Sequence, residues 1–364
     1  MKTTLNNQQI ALQVINKIQE TPQTVTLVLK PLSQNVPYKA GQFLTIILNI
    51  NQQEIQRFYS LSSAPHSDDL LAITVKKIPN GIASKYLTET IKVGDQLATL
   101  PAAGQFILPK SETDVVLISG GSGITPLFSI LKEVLTTSSK NVYLINANRN
   151  RKQIIFKTAL HDWAKKYSNR LTILHFLSRP TEPLSSPIAN ETFKEGYLSN
   201  FRIERLVKKY TSISPNPHFY ICGPEGIMLK SRMTINFMGF PKANIHQEAF
   251  IIKEISKPDP KHFSDSEVTY IYADNQAVKF PVQAGQTILD AAYQADISLP
   301  FNCKSGICTV CSAQCKSGKA EMYTTEGKFD TDNMKGITFT CVAYPLTNTI
   351  TLQSDALQSL PQKQ

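Results

Sequence analysis

Four cysteines near the C-terminus constrain this chain more than any other feature of its sequence. Cys303, Cys308 and Cys311 follow one another with the spacing C-x4-C-x2-C, and Cys341 lies thirty residues further on. This is the plant-type spacing of a [2Fe–2S] ligand set, in which four thiolates bind two sulfide-bridged irons. Gly306 lies inside the loop, where it lets the backbone turn tightly around a cluster. The sequence therefore predicts an electron-carrying metal site with these four cysteines as its ligands.

Other uses of these cysteines fit the spacing less well. A structural zinc site usually has a C-x2-C pair at both ends of its ligand set. Disulfides are disfavoured because residues 1–6 do not resemble a secretory signal peptide, and we expect a cytoplasmic protein with reduced thiols. We interpret Cys315 as a small hydrophobic residue rather than a fifth ligand. Cys222 belongs to a separate motif.

The composition predicts several domains and excludes some partners. A chain of 364 residues is long enough for two or three domains. The net charge of +10 is uneven, because from Glu267 onward there are nine acidic and seven basic residues, against 31 basic and 19 acidic before it. The chain has no run of five or more basic residues, which argues against a nucleic-acid-binding patch. No apolar run approaches the length of a membrane span. A basic body suits phosphate-bearing cofactors, although dispersed solubilising charge would give the same balance.

The first hundred residues predict a closed antiparallel barrel. The runs 24–29 and 43–48 are rich in β-branched residues and are bounded by turn signals. In the segment 57–63, strand alternation places Arg57 and Tyr59 on one face, away from Phe58. An arginine can bind a diphosphate, and a tyrosine and nearby hydroxyls can contact a flat ring. Further on, the amides of a short helix at 81–87, together with Ser84, predict a pyrophosphate site, although an ordinary capped helix would look similar.

From residue 114 onward the pattern changes to alternating strands and helices. An apolar strand runs into the glycine-rich turn 120–123 and then an apolar-periodic helix, although the spacing is not G-x-G-x-x-G. Further strands end near Arg149 and Ser178-Arg179, and the last predicted strand, 218–221, ends at Cys222-Gly223-Pro224. Because ligands bind at the carboxyl ends of parallel strands, these ends predict a dinucleotide site on a doubly wound sheet.

The motifs together resemble the ferredoxin–NADP reductase superfamily. The motifs that carry the resemblance are Arg57-x-Tyr59-Ser60, Gly81-x-x-Ser84-x-x-Leu87, the glycine-rich turn through Pro126, and Cys222-Gly223-Pro224. With its C-terminal plant-type ferredoxin domain, the chain is similar to reductase components of bacterial oxygenases, in particular the reductase subunits of phenylacetyl-CoA epoxidases. The resemblance covers nearly the whole chain.

The resemblance implies specific roles for residues of this chain. FAD is expected at Arg57, Tyr59, Ser60, Val75, Gly81, Ile82 and Ser84, with Phe250 closing over the flavin. NADPH or NADH is expected at Gly121, Ser122, Gly123, Thr125, Arg149, Ser178, Arg179, Cys222, Gly223 and Pro224. Ser60, Cys222 and Glu248 are the expected catalytic residues. Since two arginines and no acidic residue follow the later strands, we favour NADPH over NADH, although surface arginines would give the same pattern.

The sequence predicts a domain order of FAD-binding barrel (1–110), NAD(P)-binding α/β domain (111–252), Pro-broken linker (253–267) and β-grasp ferredoxin domain (268–358). One departure from the family is Thr309, which stands where relatives carry glycine. The redox potential of the relatives' clusters is therefore not transferred to this chain.

These patterns predict an NAD(P)H oxidoreductase that passes electrons through FAD and a [2Fe–2S] cluster to an acceptor protein, such as a di-iron phenylacetyl-CoA epoxidase. Two alternatives stay open. The acceptor could instead be a hybrid-cluster protein, a desaturase or a cytochrome P450. A non-enzymatic redox sensor is disfavoured, because sensing alone does not need a nicotinamide site.

Overall fold

The structure is a computed structural model, and it describes residues 9–33, 35–109, 113–186, 188–212, 215–250, 258–272, 274–297, 299–301, 306, 311–324, 327–332 and 334–354. The chain divides into two compact units. The first comprises Met1–Ala102 and Phe106–Phe250, and the second comprises Ala103–Gln105 and Ile251–Gln364. Among the described residues, no helix combines the length and the apolar character that crossing a membrane requires.

The first unit begins with a six-stranded antiparallel sheet in the order β4-β3-β6-β1-β2-β5. Its strands are β1 (Ile10–Thr21), β2 (Thr24–Pro31), β3 (Phe43–Ile50), β4 (Gln53–Ser60), β5 (Leu71–Lys76) and β6 (Gln96–Thr99). A bridge between Leu61 and Ile73 joins the two edges of the sheet. Alternating inward residues such as Leu12, Leu27 and Leu44 are fully buried inside it. This confirms the predicted antiparallel barrel.

A short helix follows β5, at the segment where the sequence predicts a pyrophosphate site. Helix α1 (Ile82–Lys85) continues into a single π-helical turn, Tyr86–Thr90. The side chains of Ala83 and Leu87 pack into the barrel core.

A six-stranded parallel sheet forms the rest of the first unit, in the order β10-β9-β8-β7-β11-β12. Its strands are β7 (Val115–Gly120), β8 (Val142–Asn148), β9 (Leu171–Leu177), β10 (Glu191–Glu195), β11 (His218–Cys222) and β12 (Ile245–Glu248). The helices are α2 (Ile124–Thr137), α3 (Lys157–Lys166), α4 (Asn200–Thr211) and α5 (Glu225–Phe237). Every residue of β7 is buried, as expected for a central strand covered on both faces.

The parallel sheet confirms the predicted α/β class but contains two strands that the sequence did not predict. Strand β10 is short and mostly polar, and β12 pairs with β11 at the edge of the sheet. The prediction that 218–221 is the last strand is therefore wrong. A four-residue strand at a sheet edge has too little apolar alternation to be recognised without its partner.

The second unit has the β-grasp arrangement. A five-stranded sheet runs in the order β14-β13-β20-β15-β18, and a three-stranded sheet in the order β17-β16-β19. The elements are β13 (Ser266–Ile271), β14 (Ala277–Val282), α6 (Ile288–Gln294), β15 (Ser312–Ser317), β16 (Ala320–Thr324), β17 (Gly327–Asp330), β18 (Ile337–Phe339), β19 (Ala343–Pro345) and β20 (Thr349–Ser354). The hairpin β13–β14 is antiparallel, whereas β13 and β20 pair in parallel.

The described end of the predicted linker is folded onto the second unit. Pro260–His262 forms a 3-10 turn, and the Phe263 side chain is buried against Tyr344, with ring centroids 5.2 Å apart. Residues 253–257 of the linker prediction lie outside the described residues. The domain boundaries stay predictions.

Candidate functional site

The three predicted catalytic residues lie together in the first unit. The hydroxyl of Ser60, at the end of β4, donates a hydrogen bond to Glu248 Oε2 at 3.0 Å. Glu248 is in register with Cys222 on the neighbouring strand, so their side chains point to the same face of the parallel sheet. The structure thus brings Ser60, Cys222 and Glu248 to one place, from the barrel and from two strands of the α/β domain.

The surroundings of this triad favour uncharged side chains. Burial raises the pKa of Glu248 to about 7, against the smaller opposing effect of the hydrogen bond from Ser60. Burial, with the nearby Glu248 carboxyl, raises the pKa of the Cys222 thiol well above its ordinary value. Near neutral pH, Glu248 can hold or release a proton, whereas Cys222 stays a neutral thiol.

The two glycine-containing turns lie against each other beside the triad. Gly121 has a φ of +54°, and Gly121–Gly123 forms a 3-10 turn leading into α2. A Cβ on Gly123 would overlap the carbonyl oxygen of Cys222, and a Cβ on Gly223 would lie 2.8 Å from the amide nitrogen of Gly120. Only glycine allows this approach of the two backbones. The Thr125 hydroxyl donates to the Ser122 carbonyl and stabilises the turn.

The predicted arginines lie at the carboxyl ends of adjacent strands. The Arg179 amide donates to the Arg149 carbonyl at 2.7 Å, and the Ser178 amide donates to the Asn148 carbonyl at 3.0 Å. Both arginine side chains are exposed, and neither forms an ion pair with a residue that the structure describes. Two adjacent cations at this edge can bind a phosphate group.

The predicted flavin residues on β4 have the expected alternation. Arg57 and Tyr59 pair with Ile46 and Leu44 of β3, whereas Phe58 pairs with Thr45. Arg57 is exposed, while burial raises the pKa of Tyr59 to about 12, so that its phenol stays neutral.

A cleft of ≈480 Å³ lies at the second predicted FAD segment. Its lining residues are Gln23, Lys77, Ile78, Pro79, Asn80, Gly81, Ile82, Lys85 and Glu89. Lys85 and the α1 backbone suit an anionic group, whereas Lys77 is paired with Glu89 at 2.9 Å. The Ser84 hydroxyl already donates to the Gly81 carbonyl, so it supports the loop as well. The Val75 side chain is fully buried in the barrel, so any contact with a ligand there would come from its backbone.

Two of the four predicted cluster ligands are described, and they lie together. Cys311 and Cys341 are both buried, and their sulfurs are 3.2 Å apart, which is too far for a disulfide bond. Gly306 has a φ of +71°, the left-handed conformation that its predicted turn needs. Cys303, Cys308 and Thr309 lie outside the described residues. Two buried thiols at this separation fit a shared metal cluster.

One candidate residue was missed in the sequence. Lys76, the last residue of β5, has its Nζ 3.8 Å from the position of a Cβ on Gly121. This lysine lies beside the glycine turn and forms no ion pair among the described residues. The strand pattern alone gave no signal for Lys76, because its approach to Gly121 joins the barrel to the α/β domain.

Phe250, which was predicted to close over the flavin, is exposed and lies beyond the end of β12.

Three family profiles match this chain. Residues 9–107 match the oxidoreductase FAD-binding domain, residues 117–232 match the oxidoreductase NAD-binding domain, and residues 271–346 match the 2Fe-2S iron-sulfur cluster binding domain. The order agrees with the barrel, the parallel sheet and the β-grasp unit. These matches confirm the predicted FAD, pyridine nucleotide and [2Fe–2S] cofactors.

Relatives with the same organisation match along nearly their whole length. The chain is 30% identical to the ferredoxin reductase component of 3-ketosteroid-9-alpha-monooxygenase from Mycobacterium tuberculosis (strain ATCC 25618 / H37Rv), over 96% of this chain and 97% of that protein. It is 28% identical to one of the subunits of 1,2-phenylacetyl-CoA epoxidase from Escherichia coli (strain K12), over 93% of this chain and 95% of that protein.

A solved structure, phthalate dioxygenase reductase, has the same fold with a TM-score of 0.59 and 20% identity, over 95% of this chain and 98% of that one. Domain matches, full-length relatives and fold agree. The chain belongs to the ferredoxin–NADP reductase-type oxidoreductases that carry a C-terminal [2Fe–2S] domain.

Proposed function

We propose that this protein is the NADPH-dependent reductase component of an oxygenase system. The observation that carries the proposal is that Ser60, Cys222 and Glu248 lie together beside the glycine turn of a parallel sheet. The same chain also carries cluster cysteines. Bound FAD accepts two electrons as a hydride and releases them singly, which suits a one-electron [2Fe–2S] carrier.

Each predicted residue has a task that its surroundings support. Gly123 and Gly223 let the two turns pack closely against each other at the nucleotide edge, and Cys222 lies there as a buried, neutral thiol. Ser60 and Glu248 position the flavin and hold a proton at Glu248 Oε2, because the pKa of that carboxyl is raised to about 7. Arg149 and Arg179 supply the cations for a 2′-phosphate, which supports NADPH as the donor.

The acceptor is proposed from the relatives, whose names are those of oxygenase components. A cytoplasmic location is proposed because reduced thiols are needed for a cluster and the coenzyme pool is intracellular.

The first experiment is anaerobic titration of the purified holoprotein with NADPH and, separately, NADH. Absorbance follows the flavin and electron paramagnetic resonance follows the cluster. We expect both centres to be reduced, at lower concentrations of NADPH than of NADH. The double variant Arg149→Gln/Arg179→Gln should lose about tenfold or more of the NADPH preference, since it removes both charge-assisted contacts. Equal use of both nucleotides by the wild type would contradict the choice of NADPH.

The acceptor is tested separately with the reduced holoprotein. We expect it to support turnover of an oxygenase component and not of a hybrid-cluster protein, a desaturase or a cytochrome P450. Turnover of one of those three instead would replace the oxygenase as acceptor.

A further inference from the structure

A polar row, buried at four of its five positions, crosses the parallel sheet at its carboxyl edge. Its members, one each from β12, β11, β7, β8 and β9, are Glu248, Cys222, Ser119, Asn146 and His175. Because they are in register on neighbouring strands, their side chains share one face. In the row behind it on that face, Tyr220, Leu117, Leu144 and Ile173 are hydrophobic core residues, and His246 at the β12 edge stacks on Tyr220. The polar row therefore interrupts the hydrophobic core where the strands approach the nucleotide edge.

Asn146 is the centre of the hydrogen bonds in this row. Its Oδ1 accepts from the Ser119 hydroxyl at 2.8 Å and from Asn148 Nδ2 at 3.0 Å. Its Nδ2 lies 3.4 Å from His175 Nδ1. Ser119, Asn146 and His175 are all at most 1% exposed. Since buried polar groups destabilise a fold unless they are paired, these contacts hold Asn148 in one orientation.

The other end of the network is a buried carboxylate. Because the Asn146 amide can only donate, His175 Nδ1 accepts, and His175 Nε2 then donates to Glu191 Oε1 at 3.1 Å. Glu191 Oε2 lies 2.9 Å from His161 Nδ1 and accepts from the Ser186 hydroxyl. Burial alone would raise the pKa of Glu191, but the hydrogen bonds from His175 and His161 outweigh it and lower that pKa to about 2. Glu191 therefore stays ionised and fully paired.

The network also reaches the turn that follows Arg149. The His175 ring stacks on Phe193 with centroids 4.6 Å apart, and the guanidinium of Arg151 lies 3.6 Å from the centroid of the same Phe193 ring. Arg151 Nη2 donates to the Ser185 carbonyl. Two buried atoms of the turn, Asn150 Oδ1 and Arg151 Nε, have no hydrogen-bond partner among the described residues.

We propose that Asn146 is a positioning residue for the phosphate-bearing adenosine end of the nucleotide. Through Asn148 on one side, and through His175, Phe193 and the Arg151 stacked on it on the other, it holds the 148–151 turn so that Arg149, next to Arg179, faces a 2′-phosphate. The inference rests on the proposed use of NADPH and adds a residue that would not touch the nucleotide. Asn146 holds the conformation of the turn and takes no part in hydride transfer.

Calorimetric titration of the holoprotein with 2′,5′-ADP and with 5′-AMP tests this role, because neither ligand reacts with the flavin. We expect Asn146→Leu, which keeps the side-chain size, to weaken binding of 2′,5′-ADP about tenfold, since it removes the bonds that Asn146 makes to Asn148 Nδ2, the Ser119 hydroxyl and His175 Nδ1. Binding of 5′-AMP should weaken less than about threefold. Ser119→Ala removes one bond to Asn146 with little risk to folding, and should weaken 2′,5′-ADP binding about threefold. Ile173→Val, in the row behind, is the matched control and should bind both ligands as the wild type does.

The outcomes separate the two proposals. If the wild type prefers 2′,5′-ADP and both polar variants keep wild-type affinity, or weaken both ligands equally, the positioning role of Asn146 is overturned. If Asn146→Leu does not fold, Ser119→Ala decides between these results. If the wild type binds both ligands equally, the NADPH proposal fails in the wild type itself and the role of Asn146 fails with it.

Discussion

Ser60 and Glu248 are 188 positions apart, and the serine hydroxyl donates to the glutamate carboxyl at 3.0 Å. The contact joins the last residue of a barrel strand to the last residue of the parallel sheet. It places a proton-holding group where the two cofactor-binding domains meet. Since burial raises the pKa of Glu248 to about 7, its protonation changes within the physiological range.

Glu248 should make the stability of the protein depend on pH. Its pKa rises from 4.5 when unfolded to about 7 when folded, so the folded state binds more protons between these values. The free energy of unfolding therefore falls as pH rises from about 4.5 to 7, by about 2–3 kcal/mol. The Glu248→Gln side chain does not titrate. When the pH is raised from 5 to 8, the Tm of this variant should therefore rise by about 5 °C relative to the Tm of the wild type. Flavin fluorescence during heating measures this, and a Tm difference that stays constant with pH would contradict it.

The cluster cysteines should differ sharply from their neighbour Cys315. Cys311→Ser or Cys341→Ser should lose the [2Fe–2S] absorbance, because each removes one of the two thiols that lie 3.2 Å apart. Cys315 is half-buried, and its sulfur contacts the Ser317 and Gly318 carbonyls. Cys315→Ser should therefore keep about two irons per chain by metal analysis. Loss of iron from Cys315→Ser would show that the ligand set is assigned wrongly, whereas flavin reduction should survive in all three variants.

Two glycines of the α/β domain should respond oppositely to alanine. Gly123→Ala would place a Cβ into the Cys222 carbonyl oxygen, so the two turns must separate and nucleotide binding should fall at least about tenfold. Gly226, in the first turn of α5, has open space around its Cβ position. Gly226→Ala should raise the stability by about 0.4–1 kcal/mol through reduced backbone freedom. Calorimetry with NADP⁺ and thermal unfolding measure both effects, and normal nucleotide binding by Gly123→Ala would refute the packing argument.

Phe263 should stabilise the second unit although it lies in the predicted linker. Its ring is buried against Tyr344, and Phe263→Ala should lower the stability of this unit by about 3 kcal/mol. Urea unfolding followed by cluster absorbance measures the loss. Lys261→Ala, two residues earlier and exposed, is the control and should change the midpoint little. Equal midpoints for the two variants would mean that the 260–263 segment is a free tether.

Local patterns predicted the elements that carry strong signals. The apolar strand 115–120 and its glycine turn were recognised because a buried parallel strand is a continuous apolar run. Helix α6 (Ile288–Gln294) carries an equally local signal, because the side chain of its N-cap Thr287 accepts from the Asp290 amide. Strands β10 and β12 were missed because both are short and lie at sheet edges, where polar residues are tolerated.

The sequence by itself determined the cofactor chemistry, because ligand spacing and strand–turn–helix order are local properties of the chain. Cys303, Cys308, Cys311 and Cys341 predict their cluster from spacing alone, and the glycine turn predicts its nucleotide. Only the tertiary structure decided which distant groups meet. The Ser60–Glu248 bond, the approach of Lys76 to Gly121 and the buried row through Asn146 depend on strand register between segments far apart in sequence. Register is set by how whole sheets pair and pack, so no single segment contains it.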